Sequence, residues 1–177
     1  MFVLKIIIQL ISLYRAIAML FFIMFYTIMP CYVNLILLIT AITSDLLDGY
    51  LAKKYKLTSI GGQLLDLFSD KYLNCISIIY LIIEGFPMLP LLFILTKEIF
   101  VLSFRSIKIN GEFIISTNRT IGGFMTGILW GIVFLHTGNI NFIPLTILIN
   151  ILGTLNLIYL LYKIYSNYNN LKKVFKN

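Results

Sequence analysis

Residues 32–70 read YVNLILLITAITSDLLDGYLAKKYKLTSIGGQLLDLFSD. The stretch opens on a continuous apolar run, Tyr32 to Ser44, with no period-two alternation, so it reads as a helix rather than a strand. That run is short for a membrane span. It becomes long enough if the helix continues through Asp45, Asp48 and Ala52. Charged residues then occupy the inner end of a span, which a bilayer tolerates only where they face a bundle interior or a water-filled cavity. A basic connection, Lys53 to Gly62, follows, and a second apolar run extends from Leu64 to Ile83. Two antiparallel helices joined here would bring four aspartates, Asp45, Asp48, Asp66 and Asp70, to one place near the membrane interface.

Working outward, the rest of the chain has the same character. Of its 177 residues 60% are hydrophobic and only 12% charged, about half the charged share of a soluble domain. Further apolar runs cover Phe2 to Met29, Met88 to Ile107, Ile121 to His136 and Phe142 to Tyr162. Continuous runs favour helices over a barrel, because a helix satisfies its backbone within one segment. Pro and Gly mark the breaks at Met29-Pro30, Gly85-Phe86-Pro87 and Thr137-Gly138-Asn139, and residues around Ser106 to Thr120 separate the fourth and fifth runs. The predicted fold is all-α: a polytopic membrane bundle of six transmembrane helices in a single domain over residues 1–177, with no room for a soluble domain.

Charge orients the bundle. The net charge of +7 would suggest nucleic acid in a soluble protein, but here the cations sit between and after apolar runs, so nucleic acid is not an expected partner. Lys5, then Lys53, Lys54 and Lys56, then Arg105, Lys108 and Arg119, then Lys163, Lys172, Lys173 and Lys176 fall on alternate connections and the two ends; the other three connections carry no Lys or Arg. Both termini are therefore predicted cytoplasmic, with the aspartates at the cytoplasmic face and a basic tail over residues 163–177 at the membrane surface. The N-terminal run has no small-residue cleavage site and contains Arg15, so it reads as a first span rather than a signal peptide. Cys31 and Cys75 have no zinc-like spacing and read as small apolar residues.

Asp45 and Asp48 are three apart and Asp66 and Asp70 four apart, so each pair shares a helix face. An uncompensated carboxylate costs ~2.5 kcal/mol or more at a span centre, less near the interface. Something positive must gather there. Lys53, Lys54 and Lys71 can serve as salt-bridge partners, but several hard oxygen ligands suit a divalent cation, Mg2+ or Mn2+, and four carboxylates suit two ions. Gly49, Ala52 and Gly62 lie nearby, where small residues let a ligand or a neighbouring helix approach; any one Gly alone reads as packing or a loop break.

Together these residues give Asp45-x-x-Asp48-Gly49-x-x-Ala52-Lys53, eight residues, then Gly62-x-x-x-Asp66-x-x-x-Asp70. This resembles the signature of the CDP-alcohol phosphatidyltransferase family, D-x-x-D-G-x-x-A-R, eight residues, G-x-x-x-D-x-x-x-D. Seven of its eight specified residues match with every spacing intact; the departure is Lys53, which keeps the charge of the family's Arg but lacks its bidentate fork. The flanking stretches Leu10 to Arg15, Leu46 to Ala52 and Leu65 to Lys71, with Lys97-Glu98 and Arg105, are most similar to the phosphatidylglycerophosphate synthase branch. Ser116 to Thr120 matches that branch loosely, and its Pro after Asp66 is missing.

The resemblance implies transfer of a phosphatidyl group from CDP-diacylglycerol to an alcohol, with release of CMP. It implies Asp45, Asp48, Asp66 and Asp70 as metal ligands, with Asp70 also the general base. Gly49, Ala52, Lys53 and Gly62 would contact the CDP moiety, and the protein would be a homodimer, in a bacterial cell membrane. The acceptor is expected to be a small alcohol phosphate such as glycerol 3-phosphate, with Arg15, Arg105 and Arg119 as candidate cations for it. Arg15 also reads as a bundle-pairing arginine, and Arg105 and Arg119 also read as topology charges. His136 falls at the far end of the fifth span, outside the site, and Glu98 is expected to pair with Lys97 or Arg105 or to support the pocket. Rival readings are the same chemistry on phosphatidylglycerol, inositol phosphate or serine, an intramembrane prenyltransferase, a cation transporter, and a non-catalytic membrane interaction protein.

Overall fold

The computed structural model describes residues 2–55, 60–105, 108–109, 112–113, 119–140 and 144–168; side chains at 2–5, 8, 45–46, 48–49, 52–53, 60–67, 104–105, 108–109, 112–113 and 119–120 lie outside the description. Among the described residues there are six helices: α1 Phe2–Phe25, α2 Cys31–Lys54, α3 Ile60–Ile83, α4 Met88–Arg105, α5 Arg119–Thr137 and α6 Leu145–Ser166. Each corresponds to one apolar run of the sequence. Between α4 and α5 lies a departure from a purely helical chain, an antiparallel pair of two-residue strands, β1 Lys108–Ile109 and β2 Glu112–Phe113.

α2 runs unbroken through Asp45, Asp48 and Ala52, as the short apolar run required. α3 starts at Ile60, so Gly62 lies inside its first turn, and Lys53 and Lys54 belong to α2 rather than to the connection. By sequence that connection spans Lys53 to Gly62, because two glycines and three lysines look like loop; Lys53, Lys54, Gly61 and Gly62 are instead helical.

The helix ends explain themselves chemically. Asn34 donates from Nδ2 to the Tyr26 carbonyl at 2.9 Å, which satisfies an oxygen left open at the end of α1 and ties the corner to α2. α3 stops at Gly85, whose φ of 82° is the left-handed conformation that glycine adopts freely; Gly85 N–H donates to Ile82 O and Phe86 N–H to Leu81 O, at 3.1 and 3.0 Å. Asn139, φ 53°, ends α5 the same way, with Asn139 N–H to His136 O and Ile140 N–H to Leu135 O at 3.0 and 2.9 Å.

Two compact units form. The first comprises residues 1–80 and 133–141, the second residues 81–132 and 142–177. In the first, α1 packs along α2, and Ala18, Met19, Phe22, Leu38, Ala41 and Leu73 are buried. In the second, α4 packs along α6 around Leu91, Ile94, Ile149 and Leu152. There Gly153 meets Pro90 so closely that a Cβ on it would lie 2.6 Å from Pro90 Cα and 2.8 Å from Pro90 O.

Large apolar side chains are exposed along the helices, including Met24, Leu89, Phe124, Ile158 and Leu161. Among the described residues one helix, α6, is long and apolar enough to cross a membrane, and shorter apolar stretches cover Gln9–Phe25, Cys31–Ser44 and Ile121–Thr137. At about 1.5 Å per residue, α6 is roughly 33 Å long, enough for a hydrocarbon core of about 30 Å.

Candidate active site

The aspartates belong to the first unit, two on α2 and two on α3. The backbone places Asp45 and Asp48, and likewise Asp66 and Asp70, within helix, so the face-sharing expected from their spacing applies. The side chains of Asp45, Asp48, Asp66, Gly49, Ala52, Lys53, Gly62, Arg105 and Arg119 lie outside the described residues. Asp70 and Arg15 are described, and they meet.

Arg15 sits on α1, one turn after Ser12, and its side chain has no exposure to solvent. Its Nη1 forms an ion pair with Asp70 Oδ1. Its Nε reaches Ser44 Oγ on α2 at 3.4 Å, and that hydroxyl donates to Ala41 O at 2.7 Å, so its lone pairs face the guanidinium. Next to Asp70, the buried Ser69 hydroxyl donates to the Ser12 carbonyl at 2.9 Å. α1 therefore grips α3 at two adjacent residues, and Arg15 carries the contact on to α2. Burying a guanidinium is unfavourable unless it is paired, and here a carboxylate and a hydroxyl supply the pairing. The Asp70 side chain is 37% exposed, so the carboxylate held by Arg15 also faces accessible space.

An ionised carboxylate with one oxygen held and open space beside it is a fitting hard-oxygen donor for a divalent cation, and Asp45, Asp48 and Asp66 have the same chemistry. At the end of α2, the Lys54 ammonium lies over the rings of Tyr50 and Tyr55, 5.5 and 5.7 Å from their centroids. This cation–aromatic group is exposed, as suits a headgroup-level anchor.

Other polar residues find other places. His136 Nδ1 lies 2.9 Å from the Tyr80 hydroxyl, which also accepts from Thr137 Oγ1 at 3.2 Å. Tyr80 is ten residues along α3 from Asp70, about 15 Å at the helical rise, so His136 belongs at the far end of this unit. Glu98 pairs with Lys97, both buried within the second unit. Cys31 and Cys75 form no disulfide with each other. Sequence reasoning missed Ser44 and Ser69. Their only signal was position: a small hydroxyl directly before Asp45 and another directly before Asp70, inside otherwise apolar helices.

Comparison with known proteins decides what this arrangement belongs to. The family model for CDP-alcohol phosphatidyltransferase matches residues 6–165, nearly the whole chain. The chain belongs to the CDP-alcohol phosphatidyltransferase family. Individual relatives align over a shorter stretch. A CDP-diacylglycerol–glycerol-3-phosphate 3-phosphatidyltransferase of Rickettsia typhi is 35% identical over 71 residues, 40% of each chain. That of Rickettsia bellii is 37% identical over 71 residues, 40% of this chain and 39% of its own. The chain thus spans about 40% of the length of these curated relatives. As a CDP-alcohol phosphatidyltransferase family member, it carries seven of the eight signature residues on α2 and α3, and an α1 arginine is bound to the last of them.

Proposed function

We propose that this protein transfers a phosphatidyl group from CDP-diacylglycerol to glycerol 3-phosphate and releases CMP, from within a membrane that it crosses six times. The observation that carries the reading is the signature of Asp45, Asp48, Gly49, Ala52, Gly62, Asp66 and Asp70, intact in spacing, inside a family match covering residues 6–165. The acceptor rests on the Rickettsia relatives, which are named as CDP-diacylglycerol–glycerol-3-phosphate 3-phosphatidyltransferases.

Asp45, Asp48 and Asp66, with Asp70 contributing, would hold Mg2+ or Mn2+, and such ions would neutralise diphosphate charge when bound. Gly49, Ala52 and Gly62 leave room for the nucleotide, and Lys53 offers its ammonium to a phosphate. Asp70 accepts the proton of the acceptor hydroxyl. The acceptor oxygen bonds to the lipid-side phosphorus, the bond from that phosphorus to the bridging oxygen breaks, and CMP departs with that oxygen. Positioning and charge neutralisation supply most of the acceleration, as in phosphoryl transfer generally. Arg105 and Arg119, which bracket the connection between α4 and α5, carry the kind of charge that an anionic acceptor needs.

The alternation of basic and uncharged connections favours cytoplasmic termini and an active site at the cytoplasmic face of a bacterial cell membrane. The exposed apolar side chains on the helices suit contact with lipid. The test is CMP release by the purified protein given CDP-diacylglycerol, Mg2+ or Mn2+, and glycerol 3-phosphate, serine, inositol phosphate or phosphatidylglycerol in turn. Glycerol 3-phosphate should be the acceptor that drives release; release with another one alone would reassign the substrate.

A further inference from the structure

Arg15 heads the large side chains that the fold encloses completely. A group with no accessible surface does not line an open pocket, so its cationic charge serves something inside the protein. Two of its partners identify what. Ser44 directly precedes Asp45, the first signature aspartate, and Asp70 is the last. One α1 side chain outside the signature thus touches its last residue on α3 and the residue directly before its first on α2. The Ser69-to-Ser12 hydrogen bond, one helical turn along α1, fixes the α3 side of the same clamp.

We infer that Arg15 is a positioning residue: through Asp70 and Ser44 it sets the separation of the two aspartate-bearing turns and the orientation of the Asp70 carboxylate, and it is not a cation for the acceptor phosphate. The inference rests on the proposed phosphatidyl transfer. A planar guanidinium suits this role because its Nη1 and Nε point in fixed directions, one at each helix; a lysine at the same place keeps the charge and loses the second arm. A cation for the acceptor would instead present its head to open space.

The two roles separate in steady-state kinetics with CDP-diacylglycerol and glycerol 3-phosphate. Arg15→Ala should lower kcat on the order of 100-fold, the scale of a slightly misplaced reacting group, while the KM for glycerol 3-phosphate stays within about twofold. Arg15→Lys should recover part of kcat. Ser44→Ala, which removes one arm's partner and perturbs packing least, should lower kcat about three- to tenfold with the same unchanged KM. It keeps the test decisive if Arg15→Ala fails to fold. A KM that rises in the Arg15 variants with kcat retained at saturation would overturn the inference, as would full kcat in both Arg15→Lys and Ser44→Ala. Wild-type protein that releases no CMP would instead overturn the phosphatidyl-transfer reading, and the inference with it.

Discussion

Asp66 and Asp70 lie on adjacent turns of α3 and carry different burdens in the proposed reaction. Asp66 is assigned to metal alone, Asp70 to metal and proton transfer. Asp70→Asn keeps the shape and much of the Arg15 contact but removes the charge and the basic oxygen, so CMP release should fall by about 100- to 10,000-fold, measured by single-turnover assay. Lys53 is a milder case. If it grips the diphosphate, Lys53→Arg restores the fork and should preserve or raise CMP release; a clear loss would show that this position needs lysine for another reason. The aspartates could be read from the sequence because their mutual spacing is a property of single helices. The Arg15–Asp70 pair could not, since its members are 55 residues apart and meet only through the packing of α1 on the first unit.

At the scale of elements, the long apolar runs fixed where helices lie, because lipid-compatible segments leave the backbone few other choices. Their ends were less legible. α3 begins before the glycines that looked like its loop, and the β1–β2 pair has two residues per strand, too few to give a period. Gly85 and Asn139 as helix terminators follow from residue type; that Gly153 is a packing residue does not, because its partner is Pro90 on another helix. Gly153→Ala forces a methyl group against the Pro90 backbone, so α4 and α6 must separate. The expected cost is about 1–3 kcal/mol. For a chain of this size that lowers the melting midpoint by roughly 2–4 °C per kcal/mol, measured in detergent. An unchanged midpoint would show that the helices yield freely at this point.

For the whole molecule, topology is the claim with the most direct physical consequence. Six spans with cytoplasmic ends put the α1–α2 turn outside, and α2 opens directly after that turn on Cys31, an exposed thiol that donates to the Thr137 carbonyl at 3.0 Å. In intact cells carrying a Cys75→Ser variant, a membrane-impermeant maleimide should label Cys31, whereas a cysteine replacing Lys172 should react only after permeabilisation. The reverse pattern would invert the orientation. Composition foretold a membrane protein because 60% apolar residues cannot be covered by the polar residues available. Two of the three boundaries between the compact units, after Tyr80 and after Ile132, left no trace in the sequence, since they fall inside unbroken apolar helices. The central claim, that the aspartates of α2 and α3 carry phosphatidyl transfer, meets its most direct test in one side-by-side measurement. Wild-type protein and the Asp66→Asn variant, purified alike, are given CDP-diacylglycerol, Mn2+ or Mg2+, and glycerol 3-phosphate, and CMP is counted. The account predicts release by the wild type and none above background by the variant. Equal release from both, or none from the wild type where a Rickettsia relative works, would contradict it.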